Sequence, residues 1–258
     1  GWDTQLEGIW VGKFETTGIY TEGNSSEITV KPGESSLVNM TINEQYKAGK
    51  SATFGEASSE LIGSHMAKNS EWGAVAYLSQ SSYGLNGKEI ERNSEVCITG
   101  GSSTKATIYT TNAEQSTTGN AYGVYDMSGG AYERTASYVN YSSGSFTNGG
   151  STEKDLYNES NPGESNKYKT VYEASGTSQS SSYNLAAGKK GDGVYETSNH
   201  YNSSSGSWFG AYSLFPITSS PFLRRGGYHN GGYAGVFFFH YNAGKAYSVD
   251  SFRVVLVP

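Results

Sequence analysis

The chain has 258 residues, of which 16% are charged, with 34 Gly, 21 Tyr, 10 Phe, 4 Trp and a formal net charge of −6. That much glycine excludes a long-helix protein, and that many aromatic rings exclude a disordered one. The negative balance, with no Lys/Arg run longer than two, excludes nucleic acid and an anionic membrane surface as expected partners. Cys97 is the only cysteine, so an internal disulfide, a thiolate zinc site and two-cysteine redox chemistry are excluded, and it reads as a small buried hydrophobe. The apolar run Val236-Phe237-Phe238-Phe239, like every other in the sequence, falls far short of the ~20 residues that span a bilayer, so no direct membrane insertion is expected of this segment. Gly1-Trp2-Asp3 resembles neither a secretory signal nor a natural start, so it says nothing about location.

Residues 8–14 are apolar and β-rich and predict an opening strand, with Ile28-Thr29-Val30 a second short candidate. Thr41-Ile42-Asn43-Glu44 reads as a capping box opening a helix that runs to about Ala48-Gly49. After Asn69, the residues Trp72, Val75, Ala76 and Ser79 fall at i, i+3, i+4 and i+7, which predicts a helix with an inward apolar stripe that Tyr83-Gly84 stops. From about residue 140 to 207 the chain becomes rich in Ser, Gly, Asn, Thr and Tyr, and within it only Tyr168 to Tyr172 and Gly193 to Glu196 read as ordered. A structureless loop of that length is unusual, and its tyrosines predict an insertion pinned across the surface. Residues 222–258 are strand-like again, ending in an apolar strand from Phe252 to Val257. Helices near the N-terminus with strands elsewhere define an α+β domain, expected to span 1–258 as one unit without internal repeats.

Three segments carry a resemblance. Ile9-Trp10-Val11-Gly12-Lys13-Phe14-Glu15 resembles the opening strand of sulfatase-modifying, or formylglycine-generating, domains. Gly123-Val124-Tyr125-Asp126-Met127-Ser128-Gly129-Gly130-Ala131-Tyr132-Glu133 is similar to a central motif of that family, and Phe222-Leu223-Arg224-Arg225-Gly226-Gly227-Tyr228 with Ser251-Phe252-Arg253-Val254-Val255 is similar to its close. Three motifs in order over nearly the whole chain imply a C-type-lectin-like fold of the formylglycine-generating-enzyme type. Ser64 to Leu78 and Gly193 to Ser198 further resemble segments of cell-surface and prophage-encoded proteins of gut bacteria, several of which are variable targets of diversity-generating retroelements. In those systems Asn codons in a C-terminal tail are scattered by adenine-specific errors. Randomising the first two bases of such a codon yields no Lys, Glu, Gln, Met or Trp. Residues 226–250 contain one of these five types, Lys245, although the five fill roughly a sixth of the chain.

Catalytic chemistry finds little support. Formylglycine formation in the resembled family uses a copper-binding cysteine pair in the C-terminal region, where this chain has no cysteine. His65, His200, His229 and His240 show no metal-binding spacing, and no nucleophile elbow, Walker loop or dinucleotide fingerprint is present. Only five Asp occur and none builds a calcium loop, so neither a metal nor another cofactor is expected. Asp126, Glu133, Arg225 and Arg253 read as structural positions of the family motifs, the arginines bonded to backbone carbonyls or to Glu133.

The C-terminal stretch suits binding, because Tyr supplies contact area at low entropic cost while Ser, Gly and Asn supply adaptable hydrogen bonds. The predicted ligand-binding residues are Tyr228, His229, Asn230, Tyr233, Phe238, His240, Tyr241, Asn242, Tyr247, Ser248 and Asp250, lying together on one solvent-facing patch. Gly226, Gly227, Val236, Phe237, Phe239, Phe252 and Arg253 are the expected scaffold, and strand alternation turns Phe238 and His240 outward. The expectation is a non-enzymatic recognition protein or adhesin at a cell surface, pilus or phage. Its partner would be a protein or glycan on another cell or host surface. A structural pilus or surface-assembly subunit and a degenerate formylglycine-generating-like enzyme are the alternatives.

Overall fold

A computed structural model describes residues 6–22, 27–54, 63–101, 109–141 and 167–257. Thr41 opens helix α1 (Ile42–Ser51) by a reciprocal cap: Glu44 N donates to Thr41 Oγ1 at 3.3 Å and Thr41 N donates to Glu44 Oε2 at 2.7 Å. Two amides that no helical carbonyl reaches are thereby satisfied. At α2 (Asn69–Gln80) Lys68 N donates to Glu71 Oε2 at 2.9 Å, and Trp72, Val75, Ala76 and Ser79 are all buried along one stripe. A Cβ on Gly73 would lie 2.1 Å from the Gly191 carbonyl oxygen, so only glycine lets the 191–193 turn seat against this helix.

The opening strand is shorter than residues 8–14 suggest. β1 (Trp10–Val11) pairs antiparallel with β12 (Val254–Val257), which pairs antiparallel with β4 (Gly63–Met66). Lys13 then leaves the ladder: its carbonyl accepts from Tyr125 N at 2.7 Å and its ammonium lies 4.5 Å from the Tyr109 ring centre. β2 (Thr17–Ile19) and β3 (Glu27–Thr29) form a separate antiparallel pair.

The larger sheet is built on β5 (Tyr132–Tyr141). One edge of β5 pairs antiparallel with β9 (Phe222–Arg225), and the other pairs parallel with β11 (Asp250–Phe252) and then β6 (Thr170–Ala174). Beyond β9 the sheet continues through β10 (Phe239–Asn242), β8 (Ser213–Leu214) and β7 (Asn202–Ser203). The arrangement is α+β. Strand β5 carries few aliphatic residues because its polar ones are used: Asn69 N donates to Ser137 Oγ at 3.0 Å, and Thr135 Oγ1 donates to Asn69 Oδ1 at 2.9 Å.

The expected closing strand is two strands. Between β11 and β12 the chain passes from the larger sheet to the smaller one, and Arg253 marks the passage. Its guanidinium is buried and donates to both carboxylate oxygens of Glu133, to Gly12 O at 2.6 Å and to Tyr125 O at 2.8 Å. Arg225 is bonded differently, to the carbonyls of Asp192 at 3.1 Å and Gly193 at 3.2 Å. Its target carbonyls belong to the insertion, which corrects the expectation of a surface-pinned segment. Tyr172, Ala174, Ala186 and Val194 are buried against Phe215, Leu223 and Phe239, with α3 (Gln179–Ala186) packed on β6. Residues 142–166 of that insertion lie outside the described residues.

Three carboxylates, Glu15, Asp126 and Glu133, share this interior with Arg253 as the cation that lowers Asp126 and Glu133. Burial pushes all three up, Glu133 to about 7, despite its arginine partner. Asp126 adopts a positive φ of 63° so that its carboxylate accepts from Gly100 N at 2.9 Å and Asn93 Nδ2 at 2.8 Å.

Replacing Glu133 by Gln or Arg253 by Met is expected to cost more than about 2 kcal/mol, because the remaining partner is left buried and unpaired. Thermal melts of the single variants check this, and wild-type melting in both contradicts it. Burial also raises Glu89 and Asp192 to about 7. A carboxyl whose folded value exceeds its unfolded value stabilises the fold on the acid side and loses that contribution as pH rises through the folded value. His240, lowered by burial to about 4, acts in the opposite sense only below its ordinary value of 6.5. The melting temperature should therefore fall between about pH 6.5 and about pH 8, and Glu89→Gln should narrow the fall.

Candidate functional site

The predicted scaffold residues Gly226, Gly227, Val236, Phe237, Phe239, Phe252 and Arg253 are all buried. Gly227 has a φ of +83°, and a Cβ there would stand 2.6 Å from Ala234, so this position holds the turn that projects residues 228–234. Of the eleven predicted contact residues, Asn230, Tyr233, Tyr247 and Ser248 are exposed, and Tyr228, His229, His240 and Tyr241 are half-buried. Phe238, Asn242 and Asp250 are buried, contrary to the expectation of a wholly solvent-facing set.

Residues 235–238 form a turn, closed by Phe238 N donating to Gly235 O at 2.9 Å, and β10 begins only at Phe239, so strand alternation does not act at Phe238, which is only 5% exposed. Other rings cover it. Its centroid is 5.7 Å from that of Tyr132 and 6.1 Å from that of Tyr212. Tyr132 stacks on Tyr228 at 5.4 Å, Tyr212 stacks on His240 at 5.6 Å, and Tyr212 also meets Tyr233 at 5.9 Å. The result is a continuous sheet of rings across one face, with Phe238 as its floor and Tyr233, half exposed, at its rim.

Asp250 and Asn242 fail as surface residues for a different reason. Arg134 on β5 and Arg224 on β9 are directly opposite in register, a like-charge pairing that is unfavourable unless compensated. The fully buried Asp250 carboxylate accepts from Arg134 Nη2 at 2.8 Å, from Arg224 Nη1 at 3.1 Å and from Asn242 Nδ2 at 2.7 Å. Its carbonyl accepts from Gln45 Nε2 at 2.9 Å, which brings α1 into the same cluster. Arg134 also donates to Met40 O at 2.9 Å and to Lys245 O. The Arg224 guanidinium lies 3.7 Å from the centre of the Tyr132 ring and so joins the charged cluster to the ring layer.

Sequence reasoning missed Tyr132, Tyr212 and Arg224. Tyr132 and Arg224 stand inside two of the quoted motifs, and their alternation with Glu133 and Arg225, which bond elsewhere, was the available signal. Tyr212 lies far from the tail and carried none.

A cleft of about 310 Å³ opens beside this cluster, lined by Ser220, Arg224, His240, Tyr241, Asn242, Ala243, Tyr247 and Val249. His240 Nδ1 lies 2.6 Å from Tyr241 O, and a carbonyl only accepts, so Nδ1 carries the proton and Nε2 is an acceptor. Burial first, and the Arg224 charge second, hold this imidazole down at about 4, so it is neutral near pH 7. His229 is lowered as well, by burial and by Arg92.

Other reactive groups are sealed. The Cys97 thiol is buried and pushed up to about 12 by burial, with Glu15 and Asp250 adding to the rise, so thiolate is disfavoured. Glu15, Asp126 and Glu133 have shifted carboxyls but no opening to solvent. Among the described residues no group of three or more His, Cys, Asp or Glu is placed to hold a metal ion, and no helix is long and apolar enough to cross a membrane. No protein-family model matches the chain, and no curated protein matches it significantly.

Asp250→Asn should destabilise the fold by about 3 kcal/mol or more, because the buried Arg134 guanidinium and the half-buried Arg224 guanidinium lose their carboxylate. Tyr233→Ser, at the exposed rim, should stay within about 0.5 kcal/mol of wild type. Denaturant unfolding of both variants checks the contrast, and equal stabilities contradict it.

Proposed function

We propose that this chain is a non-catalytic recognition protein that binds a protein or glycan on another cell or host surface through the ring-covered face. The observation that carries the reading is the separation of the face into an exposed rim and an anchored floor. Asn230, Tyr233, Tyr247 and Ser248 are free to meet a partner, while Phe238, Asn242 and Asp250 hold the surface beneath them. Rings held rigidly in advance lose little entropy on binding, and Tyr offers both an apolar face and a hydroxyl. An exposed aromatic patch of this kind on a protein of net charge −6 marks an interaction site rather than a packing remainder.

The finer fold reading is a C-type-lectin-like domain of the formylglycine-generating type. Three points support it: the order of the three motifs, the Glu133–Arg253 pair joining two of them, and a chain whose first and last strands pair. The near-absence from residues 226–250 of the types that a scattered Asn codon cannot encode supports a diversifiable tail. In that reading the rim varies and the floor does not. Display on a bacterial surface, pilus or phage is the setting that this reading implies. A sealed, high-pKa Cys97 and a C-terminal region without cysteine speak against the copper chemistry of the resembled enzymes.

A triple variant, Tyr233→Ser, Tyr241→Ser and Tyr247→Ser, should melt within a few degrees of wild type and lose binding to whichever target the wild-type chain captures on surface-protein and glycan arrays. No captured target on either array, or capture undiminished in the triple variant, overturns the proposal.

A further inference from the structure

We propose that the cleft beside Arg224 takes an acidic sugar, a pyranose carrying a carboxylate, as one unit of a glycan ligand. The inference rests on the recognition reading and names the chemistry of one part of the same face. Its first support is a charge count. Among the described residues two guanidinium groups, Arg134 and Arg224, share the single Asp250 carboxylate, which leaves one positive charge uncompensated at the cleft floor. Arg134 is fully buried, whereas the Arg224 side chain is 17% exposed and lines the cleft. Among the described residues the only hydrogen-bond acceptor for Arg224 is Asp250, reached by Nη1 alone, and Nε is buried without a partner. The Tyr132 ring covers one face of the guanidinium, so its unused donors lie in the guanidinium plane, where a carboxylate is received.

The second support is His240, which lines the same cleft. With Nδ1–H committed to Tyr241 O, Nε2 can accept a hydrogen bond but not donate one. A free donor beside a free acceptor selects a ligand that brings both an anion and a hydroxyl. An Asp or Glu side chain of a protein partner brings only the anion, and a neutral hexose only the hydroxyl. Tyr241 and Tyr247 add apolar ring faces and hydroxyls at the cleft wall. The volume of about 310 Å³ is at the small end of ligand pockets and exceeds what one carboxylate side chain would fill.

The test is titration of the intact chain with the methyl glycosides of glucuronate, N-acetylneuraminate and glucose, and with N-acetylglutamate, followed by NMR. At least one acidic glycoside should bind about tenfold or more tightly than methyl glucoside, the ratio expected for one charge-assisted contact. Arg224→Gln should abolish that preference, and Arg224→Lys, which keeps the charge, should retain part of it; melting curves confirm that both variants are folded. Acidic glycosides binding no better than methyl glucoside overturn the inference, as does N-acetylglutamate binding as tightly as they do. If they fail while an array target is still lost in the triple tyrosine variant, the recognition reading stands and the acidic-sugar assignment falls.

Discussion

Two arginines face each other across adjacent strands, and one carboxylate between them decides whether that sheet can exist. Arg134 and Arg224 are opposed in register on β5 and β9, and Asp250 accepts from both. Without it, a buried cation and a half-buried one would confront each other in the middle of the larger sheet, at a cost that no surface contact offsets. The same residue is the first of β11, its carboxylate holds Asn242 at the end of β10, and its main-chain carbonyl engages Gln45 of α1. One group therefore sets the relative positions of the elements that frame the cleft.

The ring layer inherits its order from that cluster. Arg224 is held by Asp250 on one side and lies against Tyr132 on its face, and Tyr132 in turn stacks on Tyr228 and lies tilted against Phe238. On the opposite side of the same strands, Glu133 and Arg225 are directed elsewhere, to Arg253 and to the carbonyls of the 192–193 turn. Alternation along β5 and β9 thus separates two jobs. One set of side chains fastens the sheet to the termini and the insertion, and the other builds the surface. The fastening is charged and buried, which makes it intolerant of change; the rim is aromatic and solvated, which makes it tolerant.

How much of this was legible in the sequence depended on whether the signal was local. The α1 cap could be read because Thr41 and Glu44 satisfy each other within one helical turn, and the α2 stripe because its spacing is periodic. Phe237 and Phe239 are buried as expected, although Phe237 lies in the turn before β10 and not in the strand. Strand β5 was missed, since Arg134, Thr135 and Ser137 look like surface residues until their partners at Asp250, Asn69 and the Asn69 amide are brought in by the fold. The same cause misplaced Asp250 and Asn242: beside tyrosines in a Gly-rich tail, a carboxylate and an amide read as adaptable contacts. What buries them is Arg134, more than 100 residues away. Phe238 precedes its strand rather than lying in it and is buried, and Tyr212, which covers it, lies outside the tail and gives no hint.

The central claim is that the face divides into a mutable rim and a fixed floor at the level of single residues. A saturation scan of residues 226–250, with folding read by protease resistance of displayed variants, tests it most directly. The account predicts broad tolerance at Asn230, Tyr233, Tyr247 and Ser248, and intolerance at Gly227, Phe237, Phe239, Asn242 and Asp250. Asp250 and Asn242 accepting substitutions as freely as Tyr233 would contradict it.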